Sequence, residues 1–88
     1  LIKLYEFNIS RNNVRTLHPL AFYNNTALKS IDLSYNLIEV LFKDTFSVLK
    51  DLNEVLLSNN RLRVIETKTF MGYPKLRIID LSNNLITN

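Results

Sequence analysis

Eighty-eight residues, 47% of them hydrophobic and 22% charged, with one Gly, two Pro and no Cys, suffice for one small core and exclude a multidomain enzyme, a collagen-like or disordered chain, a disulfide framework and a thiolate metal site. The formal charge of +3, from 11 Lys and Arg against 8 Asp and Glu, is scattered without a run, so no nucleic acid partner is expected. No apolar stretch reaches the roughly 18 residues of a membrane span, and no basic-then-apolar leader opens the chain. With Leu1 in place of an initiator Met, the sequence reads as an internal slice of a longer chain.

Leu at 16 positions and Asn at 12 is a pairing that calls for a repeat search. Leu4, Leu28, Leu52 and Leu76 recur at an unbroken spacing of 24. The chain divides accordingly: residues 1–3 end a preceding repeat, 4–27, 28–51 and 52–75 are full repeats, and 76–88 is a partial one. Each repeat opens with an apolar–polar–apolar phrase, Phe7 to Ile9, Ile31 to Leu33, Val55 to Leu57 and Ile79 to Leu81, which predicts strands near 6–10, 30–34, 54–58 and 78–82. Ser10, Ser34, Ser58 and Ser82 follow. Then come Asn12, Asn36, Asn60 and Asn84, the apolar columns that begin at Val14 and Leu17, and a column of Phe22, Phe46 and Phe70. A turn and an irregular return segment complete each coil, and the strands stack in parallel because no coil can bury its apolar face alone.

The Asn column has a structural reading. Where the chain leaves the strand, backbone N–H and C=O groups lie inside the coil, and an amide side chain can satisfy both kinds, whereas Asp could accept but not donate. Asn60→Ala is therefore expected to be costly and Asn59→Ala cheap.

The phrases LKSIDLSYNLIEVLFKDTFSVLKD and LNEVLLSNNRLRVIETKTFMGYPK resemble the leucine-rich repeat of the 24-residue class, over essentially the whole chain. The resemblance implies an α/β leucine-rich-repeat solenoid with little true helix, parallel strands on a concave face and irregular convex segments carrying the Phe column. It also implies an extracellular or cell-surface protein, as in Toll-like receptors, matrix proteoglycans, adhesion proteins and arthropod immune proteins. The Asn-rich LSYN and LSNN phrases are most similar to Toll-type or arthropod immune ectodomains. One departure stands out: Asn25 occupies the position of Leu49 and Tyr73, so the first coil is expected to pack more loosely on its convex side and to flare.

Residues between the buried ones point outward. They form the columns Tyr5, Lys29, Asn53, Arg77; then Glu6, Ser30, Glu54, Ile78; then Asn8, Asp32, Leu56, Asp80; and beyond the serines Arg11, Tyr35, Asn59, Asn83. A varied surface over a constant frame suits partner binding, and Tyr5, Lys29, Asp32, Tyr35, Asn53, Leu56, Arg77 and Asp80 form the candidate patch. Tyr35 and Leu56 look like interface anchors, although any solvated face carries polar groups and isolated exposed apolar ones. Replacing Tyr35 and Asp32 by Ala is expected to weaken binding without unfolding. Arg15, Glu39 and Arg63 share one column, so an alternating charge ladder is expected, worth roughly 0–1 kcal/mol per pair.

No enzyme is read from these residues. The Ser column has no base beside it, and His18, next to Pro19, lies on a return segment facing elsewhere. One His and no Cys provide no metal site, and no cofactor is implied. Two N-glycosylation sequons occur, Asn8-Ile9-Ser10 and Asn24-Asn25-Thr26. Asn8 should project from the binding face and Asn24 from the convex side. The expected function is non-catalytic recognition of a protein or pathogen-derived ligand by an extracellular receptor or secreted immune protein, with homo- or heterodimer formation between leucine-rich-repeat chains as a further partner mode. A matrix adhesion protein and a cytosolic scaffold are the alternatives.

Overall fold

The computed structural model describes residues 5–18, 21–66 and 68–86. The expected tail of a preceding repeat at residues 1–3, Leu4 of the first Leu column, and Pro19 lie outside the described residues. Four strands form one parallel sheet in the order β1 (Glu6–Asn8), β2 (Ser30–Asp32), β4 (Glu54–Leu56) and β6 (Ile78–Asp80). Their register steps by one repeat each time, with Phe7 beside Ile31, Ile31 beside Val55, and Val55 beside Ile79.

The strands are two residues shorter than the sequence predicts, and the cause is local. Ile9, Leu33 and Leu57 still donate their N–H groups to the next coil, at 3.1, 2.8 and 2.8 Å. Two positions beyond, Arg11, Tyr35, Asn59 and Asn83 take φ values of 60°, 57°, 58° and 56°. That left-handed conformation costs a non-glycine residue roughly 1–2 kcal/mol, with Asn among the least penalised. It turns the chain out of the sheet at the same point in every coil.

A second, two-stranded parallel sheet pairs β3 (Val40–Leu41) with β5 (Val64–Ile65). The repeat pattern predicts an irregular return here, and the two adjacent apolar, mostly β-branched residues of this column form a strand instead. The rest of each return is a series of tight turns in which an N–H bonds the carbonyl three residues back, as Leu49 does with Phe46 and Leu52 with Leu49. Among the described residues no helix forms, and turns, irregular segments and the short β3–β5 pair make up the returns of the solenoid.

Burial follows the columns. Leu28, Ile31, Leu33, Ile38, Leu41, Leu52, Val55, Leu57 and Leu62 are fully buried, each worth about 1.5–3 kcal/mol of apolar transfer. In one column Ile31 and Val55 are at 0% exposure but Ile79 is at 41%, because only the first two have a coil on either side. Phe22 meets Phe7 edge-on at 5.5 Å and Phe46 at 5.8 Å, carrying the core from the sheet into the convex turns. Asn25 does not make its coil flare. Its N–H bonds the Phe22 carbonyl and its own carbonyl accepts from Leu28, the pattern seen at Leu49, so the polar side chain changes burial and leaves the backbone path intact.

Candidate strand-face binding site

The first turn out of each strand is held by side chains. Asp32 Oδ1 accepts from the Ser34 N–H at 3.0 Å and the Ser34 hydroxyl at 2.7 Å, and Asp80 does the same with Ser82. Asn8 Oδ1 accepts from the Ser10 N–H at 3.0 Å. The Ser82 hydroxyl, then its N–H, hold the Asp80 carboxyl below the usual carboxylate range. Leu56 is the exception in this column and has no group to offer Ser58. Asp32 and Asp80 thus belong to the frame as well as to the surface, and Asp32→Ala would release the Ser34 N–H and hydroxyl besides altering the face.

Beneath these turns the Asn side chains join successive coils. Asn36 Nδ2 donates to the carbonyls of Leu33 and Ser34 in its own coil and of Ile9 in the preceding one, while its Oδ1 accepts from the Val14 N–H. Asn60 bonds Leu33, Leu57, Ser58 and Ile38 in the same arrangement, and Asn84 bonds Leu57, Leu81, Ser82 and Leu62. Asn12 donates within its own coil, to Ile9 and Ser10, and is exposed.

Above this frame the candidate residues fall into two groups. At the start of the strands, Tyr5, Lys29 and Asn53 line a cleft of about 470 Å³ together with Glu6, Ser30 and Glu54 of the sheet and Asp51 and Lys75 of the preceding turns. Lys29 Nζ lies 5.3 Å from the centre of the half-exposed Tyr5 ring. Asn53 donates to the Lys75 carbonyl at 3.1 Å, Ser30 donates its hydroxyl to Glu54 at 2.7 Å, and Lys75 pairs with Asp51 at 3.0 Å. Arg77 is exposed on the same flank and does not line the cleft. At the strand ends, Leu56 lies beside Asp32 and Asp80. The Tyr35 ring, 45% exposed, has the Arg11 guanidinium 4.2 Å from its centre.

Glu6, Ser30 and Glu54, which the alternation places outward but outside the candidate patch, stand in register on adjacent strands and line the cleft. Asp51 and Lys75 stand in one column a repeat apart, and that spacing would have found them. The charge ladder at Arg15, Glu39 and Arg63 does not form. All three side chains are exposed, and the ordered contact between them is Arg63 N–H to the Glu39 carbonyl at 2.9 Å; exposed pairs contribute too little to fix long side chains. Of the sequon residues, Asn8 is exposed on β1 with its Oδ1 engaged, and Asn24 and Thr26 are exposed in the first convex turns.

The Leucine rich repeat family profile matches residues 2–62 and 50–88. The chain belongs to the leucine-rich repeat family. This leucine-rich-repeat solenoid is similar to the Toll chain in the Toll–Spatzle complex of Drosophila, with 32% identity over 92% of the chain and a TM-score of 0.88. It is also similar to the receptor in the TLR13–ssRNA13 complex, with 34% identity over 91% and a TM-score of 0.86. It spans 11% of the length of each of those chains. No curated protein sequence matches it significantly.

Proposed function

We propose that these repeats form part of a ligand-recognition ectodomain of Toll-like type, at the cell surface or secreted, that binds its partner through the outward face of the four-stranded sheet and makes or breaks no bond. The observation that carries this reading is the contrast between frame and face. Asn, Ser and Leu columns repeat coil after coil, while the side chains above them change from Tyr to Lys to Asn to Arg in one row and from Asn to Asp to Leu to Asp in another. The solved neighbours are complexes with a protein and with an RNA, which supports a receptor-type surface and leaves the ligand class to the face itself. Because the sheet and its exit turns are locked by backbone and Asn bonds, the partner would meet side chains that need little ordering.

The test uses substitutions that spare the frame. Tyr35→Asn places at a left-handed position the residue already tolerated at Asn59 and Asn83, and Leu56→Thr keeps a strand-forming, uncharged side chain. A partner recovered from conditioned medium on the full-length protein should bind the double variant at least tenfold more weakly, about 1.4 kcal/mol. Unchanged affinity would move the interface off the strand face.

A further inference from the structure

The sheet presents two outward side chains on each of its four strands. Four of these are carboxylates, Glu6, Asp32, Glu54 and Asp80, and none is a cation, in a chain whose formal charge is +3. They alternate between the first and last positions of successive strands. With strands about 4.8 Å apart and alternate residues about 6.8 Å apart along a strand, neighbouring carboxylates follow a zigzag with a step of about 8 Å. The cations on this side of the molecule flank those two rows: Lys29, against Tyr5, and Lys75, paired with Asp51, line the cleft beside Glu6 and Glu54, while Arg77 and Arg11, the latter against Tyr35, stand at the margins.

Three of the four carboxylates are oriented by serine. Ser30 occupies Oε1 of Glu54, and Ser34 and Ser82 occupy Oδ1 of Asp32 and Asp80, so among the described residues Oε2 of Glu54 and Oδ2 of Asp32 and Asp80 receive no hydrogen bond. The same face carries apolar surface. Ile78 stands in register with Glu54, and half-buried Leu56 stands in register with Asp80.

We infer that this sheet face docks an extended basic polypeptide segment, one with several Lys or Arg side chains and an aliphatic residue among them. The inference rests on the reading of the strand face as the binding face and adds the chemistry of the occupant. Carboxylates of one row stand about 9.6 Å apart across the strands, and the long Lys and Arg side chains of an extended segment, which recur at nearly 7 Å, can reach both rows. Guanidinium groups suit oxygens already fixed in direction, and Leu56 with Ile78 receives the aliphatic side chain. Nucleic acid phosphates meet repulsion from the two central rows, whatever RNA does on other solenoids.

The probe is a short synthetic peptide with arginine at alternate positions and one leucine, titrated against the full-length protein by fluorescence anisotropy. Controls are the same peptide with glutamate for arginine, and a single-stranded RNA. The variant Glu6→Gln with Glu54→Gln preserves side-chain shape and the acceptor for Ser30. The inference expects binding of the arginine peptide alone, affinity that falls with added salt, and at least a tenfold loss in the double variant with an unchanged thermal unfolding profile. Equal binding to the double variant, or none to the parent, overturns it. If the recovered partner still loses affinity on Tyr35→Asn with Leu56→Thr, the strand-face reading survives that result. If that pair also has no effect, both fall. RNA binding that strengthens on Glu→Gln replacement overturns the inference in favour of a nucleic acid ligand.

Discussion

Asn60 Nδ2 lies 3.0 Å from the carbonyl oxygen of Leu33, 27 residues earlier in the chain, while Asn60 Oδ1 accepts from the Ile38 N–H in that same preceding coil. One side chain therefore holds both ends of the turn that leaves the neighbouring strand. Asn60→Ala strands a buried N–H and withdraws a donor from three carbonyls, and should cost about 1–3 kcal/mol in denaturant unfolding of the full-length protein. Amide exchange at Ile38 should accelerate selectively. Asn60→Asp should cost no less, since a carboxylate accepts and cannot donate.

Asn59, beside Asn60, has a backbone role of its own. Asn59 sits at φ 58°, so Asn59→Ala should itself cost on the order of 1 kcal/mol. Asn59→Gly is the neutral comparison. The same position in the second coil is Tyr35, and the outcome there is a balance. Tyr35→Asn relieves left-handed strain and loses a cation–π contact worth about 0.5–1 kcal/mol, so its stability should stay within about 1 kcal/mol of the parent. Tyr35→Val, β-branched and poorly suited to positive φ, should fall further. Thermal unfolding of the two variants side by side distinguishes strain from contact loss.

On the convex side Thr45 is 2% exposed and its Oγ1 has no hydrogen-bond partner, whereas Thr69 one repeat on donates its hydroxyl to the Glu66 carbonyl. Thr45→Val should be neutral or stabilise by up to about 1 kcal/mol, and Thr69→Val should destabilise by about 1 kcal/mol. Opposite signs at two positions of one column would come from the hydrogen bond alone, since volume changes equally in both.

Alkaline pH should weaken the fold through Tyr73. Burial first, and the Asp44 charge second, raise its pKa above the usual 10.0. A group whose folded pKa is raised contributes its full stabilisation below the unfolded value and loses it as pH climbs through the folded one. Stability should therefore decline above about pH 10, and Tyr73→Phe should flatten that decline while Tyr23→Phe, at an exposed ring, should not. Urea midpoints between neutral and strongly alkaline pH make the comparison.

The repeat period, the stacked parallel strands and the buried columns are legible in the sequence because each follows from periodicity, and periodicity is cumulative over coils. What periodicity does not carry is what one side chain does to its neighbour. Asp32 reads as an outward acid, and only the geometry shows it occupied by Ser34. Arg11, Tyr35, Asn59 and Asn83 look like four unrelated residues until their shared positive φ appears. The pair β3 and β5 escaped because two-residue strands are too short for alternation to register. The missing charge ladder failed for an energetic reason, since exposed ion pairs are too weak to order themselves.

The two sequons give the face and the compartment a common test. Asn24 and Thr26 are exposed in the convex turns, away from the sheet, whereas Asn8 stands on β1 beside Asp32 with its Oδ1 holding the Ser10 N–H. A glycan at Asn24 leaves the strand face open; one at Asn8 would cover Glu6 and Asp32, where the basic segment is placed. The full-length protein secreted from a eukaryotic host should carry sugar at Asn24 and none at Asn8, read by peptide mapping before and after enzymatic deglycosylation. Occupancy at Asn8 would make docking on that edge sterically impossible and shift the partner toward β4 and β6. An unmodified Asn24 in secreted protein would remove the support this site lends to an extracellular solenoid.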